Sequence, residues 1–201
     1  MLLPNQLTTL RIILTPVFLY LFLSGDDTLV QISLIVYVIA AITDWYDGWL
    51  ARKFNYITNW GKFLDPLADK ILTSAAFIAF VFLHVLPLWM VVIIVVRDFL
   101  ITFLRLYADY KNKNFVTSRS AKIKTFAQML FIYYLLFVFT AQTVDAIYTG
   151  NEDIFAVMLD NTLIYWLMMA ITLFTAVTGI SYLYKNRKLL KELFSFETKP
   201  F

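Results

Sequence analysis

Long apolar runs separated by short polar connections dominate the chain. A segment of roughly 20 apolar residues is needed to cross a bilayer as a helix. Runs approaching or reaching that length recur at about Leu7–Leu23, Leu29–Trp49, Leu67–Leu83, Leu88–Tyr107, Ile123–Val144 and Leu163–Tyr184. The pattern predicts an all-α integral membrane protein with six transmembrane helices. Pro16 is expected to kink the first. That span has no small-residue cleavage site and follows Pro4-Asn5-Gln6, not a basic stretch, so it reads as a retained helix and not a signal peptide. No repeat, glycine-rich nucleotide loop or low-complexity linker divides the 201 residues, so 1–201 reads as one membrane domain.

Composition agrees. The chain is 61% hydrophobic with a mean hydropathy of +0.72, whereas soluble domains are nearer 45–50% apolar. Cysteine is absent, which excludes a disulfide framework and a thiolate metal site. The net charge of +3 matters less than where the charges fall. Lys and Arg are missing from the turns around Ser24–Thr28, His84–Pro87 and Gln142–Asn161. They crowd the alternate connections: Arg52, Lys53, Lys62 and Lys70; then Lys111, Lys113, Arg119, Lys122 and Lys124; then the tail from Lys185. By the positive-inside rule both termini are cytoplasmic, and the tail 185–201 is a short helical extension with a frayed end. A multi-pass protein of the inner (cytoplasmic) membrane follows, with membrane lipids as neighbours and no nucleic-acid partner. The aromatic residues read as lipid-facing and interfacial packing, and His84 as solvent-facing.

Against this background the acidic residues between 44 and 69 stand out. Asp44, Asp47, Gly48 and Ala51 share one helix face, and Gly61, Asp65 and Asp69 stack at intervals of four. Two facing helices could aim four carboxylates into one cavity at the cytoplasmic boundary. Each carboxylate at membrane depth costs at least ~2.5–3.5 kcal/mol, so the group requires compensating positive charge. Hard oxygen ligands favour Mg²⁺, Mn²⁺ or Ca²⁺. Two such ions could hold a diphosphate and stabilise a leaving oxygen, and one carboxylate could serve as general base. Gly48 and Ala51 leave room for a ligand, and Arg52 stands at the rim to meet phosphate. The plainer alternative makes Asp65-Pro66 a helix N-cap followed by proline at the first helical position, with Lys62 and Lys70 as rim ion pairs.

Asp44-x-x-Asp47-Gly48-x-x-Ala51-Arg52, then eight residues, then Gly61-x-x-x-Asp65-x-x-x-Asp69 resembles the CDP-alcohol phosphotransferase signature at every fixed position. The resemblance implies six transmembrane helices, a homodimer, and exchange of CMP on a CDP-linked alcohol for another alcohol. It implies Asp44, Asp47, Asp65 and Asp69 as ligands of two Mg²⁺ or Mn²⁺ ions, with Asp69 also the base. Asn5, Thr8, Asp44, Gly48, Ala51, Arg52 and Gly61 would bind the CDP moiety.

Other segments are similar to the bacterial members of that family that use CDP-diacylglycerol and sn-glycerol 3-phosphate to make phosphatidylglycerophosphate. These are Pro4-Asn5-Gln6-Leu7-Thr8-x-x-Arg11, Arg97-Asp98 with Leu104-Arg105, Ser118-x-x-x-Lys122-x-Lys124-Thr125, and Thr178-Gly179 before Tyr182. Ala121 departs from a glycine in that subgroup. Physical reasoning agrees, because the stretch from about 105 to 125 would give a basic inlet. There Arg105, Ser118, Arg119, Lys122 and Lys124 could bind an acceptor phosphate by charge-assisted hydrogen bonds. Arg97 lies near mid-membrane by residue count, either contacting substrate or pairing helices with Asp98. The basic loop could equally mark topology or meet anionic headgroups. Inositol phosphate, serine or phosphatidylglycerol are the other acceptors to weigh. A cation transporter lined by the same aspartates is the reading from a different class.

Overall fold

The computed structural model describes the backbone of residues 3–54, 59–111, 113 and 119–194. Within those helices, the side chains of residues 3–5, 44, 45, 47–52, 54, 59, 60, 62, 119–121 and 194 lie outside the described residues. All secondary structure among the described residues is helical. Six helices of 20 residues or more form the body: α1 (Leu3–Phe22), α2 (Asp27–Phe54), α3 (Asn59–Phe82), α4 (Leu88–Tyr110), α5 (Arg119–Gln142) and α8 (Asn161–Lys185). Short helices α6 (Asp145–Tyr148), α7 (Glu152–Met158) and α9 (Arg187–Phe194) complete the helices of the described residues.

Two helical stretches, Lys122–Gln142 and Glu152–Lys185, are long and apolar enough to cross a membrane, and Gln6–Phe22 and Asp27–Thr43 are shorter apolar helices. Helices α3 and α4 carry Asp65, Asp69 and Lys70, and Arg97, Asp98 and Arg105, within otherwise apolar sequence. Large apolar side chains such as Ile13, Ile35, Val96, Leu130, Val177 and Ile180 are exposed around the bundle. A surface this apolar suits lipid and not water.

The core lies toward the end of the bundle where α1, α3 and α5 terminate. Phe22 meets Phe80 edge-on with centroids 5.3 Å apart, and Phe18 lies 5.0 Å from Tyr37. Buried Ala68, Ala75, Ala76 and Ala79 give α3 a narrow profile, and α1 and α4 pack beside it. Helix α4 then packs on α8, and α5 touches α8, α2 and α3. At that end His84 adopts a φ of +60° and is exposed, in the tight turn between α3 and α4. The connection 143–160 is more than a loop: α6 and α7 fold back, Phe155 is buried beside Val138 and Ala141, and Tyr134 Oη donates to the Met158 carbonyl.

The apolar pattern underestimates α2 and α3. Helix α2 runs on to Phe54, and α3 begins at Asn59, eight residues before the apolar run at Leu67. Pro66 therefore lies inside α3, and Asp65 is not an N-cap. Hydropathy marks where a helix is apolar, not where its backbone bonding ends. Pro16 likewise lies within a continuous α1. In the tail, the helix is interrupted at buried Asn186, which caps α8, and α9 restarts at Arg187. The end expected to fray lies outside the described residues from 195 onward.

Candidate active site

Asp65 and Asp69 lie one turn apart on α3, both half-buried, with Gly61 buried one turn before them. Thr8, fully buried on α1, donates its hydroxyl to Asp65 Oδ1 at 2.5 Å. The packing of α1 on α3 makes this contact possible, and it orients one carboxylate from a second helix. The backbones of Asn5, Asp44, Asp47, Gly48, Ala51 and Arg52 are helical, in α1 and α2; their side chains lie outside the described residues. No group of three or more acidic or histidine side chains gathers among the described residues, which include two of the four aspartates.

Asp69 also faces a cavity of about 670 Å³ between α3, α4, α5 and α8. Its wall carries the cations Lys70, Arg97, Arg105 and Lys122 and the carboxylates Asp69, Asp98 and Asp109. Thr102, Thr125 and Tyr182 add hydroxyls, while Ile101, Leu106, Phe126 and Met129 supply apolar wall. Cations thus outnumber acids in a partly apolar enclosure, where charge is less screened than in water. Such a cavity favours an anion.

Asp98 organises the cations. It is buried on α4, and its Oδ1 accepts from Arg97 Nη1 at 3.1 Å and from Lys124 Nζ of α5. Lys70 Nζ of α3 lies 3.8 Å from Asp98 Oδ2 and 3.4 Å from Asp69 Oδ2. One carboxylate therefore gathers basic side chains from three helices, and Lys70 links it to Asp69. Arg97 reaches on to Thr178 Oγ1 of α8 at 3.4 Å. Its stem lies against Gly179, where an added Cβ would approach Arg97 Cγ to 2.9 Å. The glycine admits the arginine.

The expected acceptor residues divide accordingly. Arg105 and Lys122 are exposed and line the cavity. Lys124 is fully buried and pairs with Asp98, itself a residue of the cavity wall. Ser118 and the Arg119 side chain lie outside the described residues. Arg97 and Asp98, weighed as a bridge between helices, pair within α4; the bridging comes from Asp98 to Lys124 and Lys70. Lys70, read as a rim ion pair of Asp69, is near Asp69 but also lines the cavity. Tyr182 and Asp109 are wall residues to which the sequence had assigned no binding role. Their signal was helical spacing: Asp109 falls four residues after Arg105, and Tyr182 three after Gly179.

Residues 1–149 match the CDP-alcohol phosphatidyltransferase family model. A Bacillus subtilis protein named CDP-diacylglycerol–glycerol-3-phosphate 3-phosphatidyltransferase is 42% identical over 146 residues, spanning 67% of this chain and 76% of its own. A Rickettsia typhi protein of the same name is 32% identical over 182 residues, 90% of this chain and 94% of its own. Another from Wigglesworthia glossinidia brevipalpis is 38% identical over 139 residues, 66% of this chain and 75% of its own. The chain belongs to the CDP-alcohol phosphatidyltransferase family.

Proposed function

We propose that this enzyme transfers the phosphatidyl group from CDP-diacylglycerol to sn-glycerol 3-phosphate, giving phosphatidylglycerophosphate and CMP in phospholipid biosynthesis. The names of the relatives support the reaction. The observation that carries it in this chain is that Asp69 shares a cavity with Lys70, Arg97, Arg105 and Lys122. A candidate proton acceptor and a surplus of cations are side by side, as an acceptor with both a hydroxyl and a phosphate requires.

The residues present fit divalent cations: Asp65 and Asp69 offer stacked, half-buried oxygen donors, and the chain has no thiolate to favour a softer metal. Asp44, Asp47, Asp65 and Asp69 would hold Mg²⁺ or Mn²⁺, two per site. When bound, such ions polarise phosphorus and offset charge on the leaving oxygen.

The chain's own groups do the rest. Thr8 holds the Asp65 carboxylate, and Asn5, Gly48, Ala51, Arg52 and Gly61 border the CDP moiety. Arg105, Lys122 and Arg97 draw the acceptor phosphate into the cavity, and Ser118 and Arg119 are further candidate ligands of that phosphate by their place in the sequence. Lys124 acts through Asp98, fixing Arg97. Asp69 takes the proton from the acceptor hydroxyl. That oxygen bonds to the phosphorus bearing diacylglycerol, the bond to the bridging oxygen breaks, and CMP departs. The charge distribution supports six spans with both termini and the cavity mouth on the cytosolic side of the inner membrane. There lipid and soluble substrates meet. The family resemblance supports a homodimer.

A radiolabelled acceptor panel with purified protein, CDP-diacylglycerol and Mg²⁺ or Mn²⁺ tests the reading. Label from glycerol 3-phosphate should enter lipid. Exclusive incorporation of serine, inositol phosphate or phosphatidylglycerol overturns the acceptor; cation flux into liposomes without CMP release overturns the enzyme.

A further inference from the structure

Helix α9 has no part in the reaction described above, yet its residues are sorted with care. Arg187, Lys188, Lys191 and Glu192 occupy one side at i, i+1, i+4 and i+5 and are all exposed. Leu189, Leu190 and Leu193 occupy the opposite side and are half-buried. Helix α8 is its chief packing partner, so protein covers the leucines only in part. An eight-residue amphipathic helix with cations on its polar side suits a bilayer surface, leucines among the acyl chains and cations among headgroups.

Contacts at both ends fix α9 on the bundle. Asn186, buried at the junction, donates through Nδ2 to the Tyr182 carbonyl at 2.9 Å, and its own carbonyl accepts from Leu190 N at 2.9 Å. The break after α8 is thus a built turn. Lys113, just beyond α4, pairs with Glu192 at 2.7 Å. That pairing neutralises the one acid on the polar side and leaves Arg187, Lys188 and Lys191 as net positive charge. Arg187 lies over the Tyr184 ring, 4.6 Å from its centroid.

We propose that α9 is a docking surface for anionic lipid headgroups of the bilayer in which the protein sits. Charge complementarity selects this occupant: three cations answer anionic lipid, and the leucine side answers the acyl boundary. Each cation near an anionic surface strengthens association about fivefold.

The chain lacks cysteine, so a nitroxide can be placed at one chosen position of the full-length protein. Leu193→Cys and Lys188→Cys, each spin-labelled, are reconstituted in nanodiscs of phosphatidylcholine with or without phosphatidylserine. Accessibility to oxygen and to a water-soluble nickel chelate is then read. With phosphatidylserine, the label at 193 should become oxygen-accessible and shielded from nickel, while that at 188 stays nickel-accessible. Adding Lys191→Gln to the Leu193→Cys protein should shift the balance back about fivefold. A label at 193 that remains aqueous in both lipids, or is equally immersed in both, overturns the proposal.

Discussion

Lys124 of α5 is fully buried, and its ammonium is held by the Asp98 carboxylate of α4. A buried pair contributes little as a pair, but removing one partner strands the other. Asp98→Ala would strand Lys124 and Arg97 and loosen Lys70. A loss of about 3–5 kcal/mol is expected, read as a lower thermal unfolding midpoint in detergent. Lys124→Met should also destabilise, and the double variant Asp98→Ala/Lys124→Met should lose less than the two singles combined.

Gly179 provides a sharper probe of Arg97. Glycine to alanine inside a helix would ordinarily gain up to about 1 kcal/mol. Here the new methyl would lie 2.9 Å from Arg97 Cγ, near the root of the side chain, where little can give. Overpacking of this kind costs about 1–3 kcal/mol. Gly179→Ala should therefore be no more stable than the parent and should raise KM for the acceptor more than for CDP-diacylglycerol. Steady-state kinetics with each substrate varied in turn would show the split.

These two relationships mark what the sequence could not disclose. The stacking of Asp65 and Asp69 was legible because helical periodicity puts residues four apart one turn above the other. Asp98 was harder: its partners Lys70 and Lys124 lie 28 and 26 residues away on other helices, and linear spacing says nothing about which helices adjoin. Lys124 sits in a basic run, and only the fold shows its ammonium buried against Asp98. The start of α3 was missed because polar residues masked eight helical positions before Leu67.

Thr8 tests the carboxylate site from its side. A hydrogen bond to a charged group contributes about 1.5–3 kcal/mol. Thr8→Val keeps the shape and removes the donor to Asp65. Activity titrated with Mg²⁺ or Mn²⁺ should shift to a different metal requirement, with the circular dichroism spectrum unchanged. An identical titration curve would show that this hydrogen bond does not tune the site.

The Lys113–Glu192 pair carries a pH signature. The hydrogen bond and charge of Lys113 hold the Glu192 carboxyl below its ordinary value of 4.5. A lowered acid pKa stabilises the contact fully above the unfolded value and loses that contribution as pH falls through the folded one. In detergent, with no anionic lipid present, a nitroxide on α9 should therefore stay ordered at neutral pH and loosen only in acid, below about 4.5. Glu192→Gln should remove that transition.

Asp69 is the described carboxylate that joins the acidic face of α3 to the cation-lined cavity. The most direct test is turnover of CDP-diacylglycerol and glycerol 3-phosphate by purified Asp69→Asn protein, with folding checked by circular dichroism. A folded protein whose turnover falls by at least about 10²–10⁴, the range for a lost general base, is expected. A folded variant that releases CMP and forms product at near-parent rates would contradict the role given to Asp69.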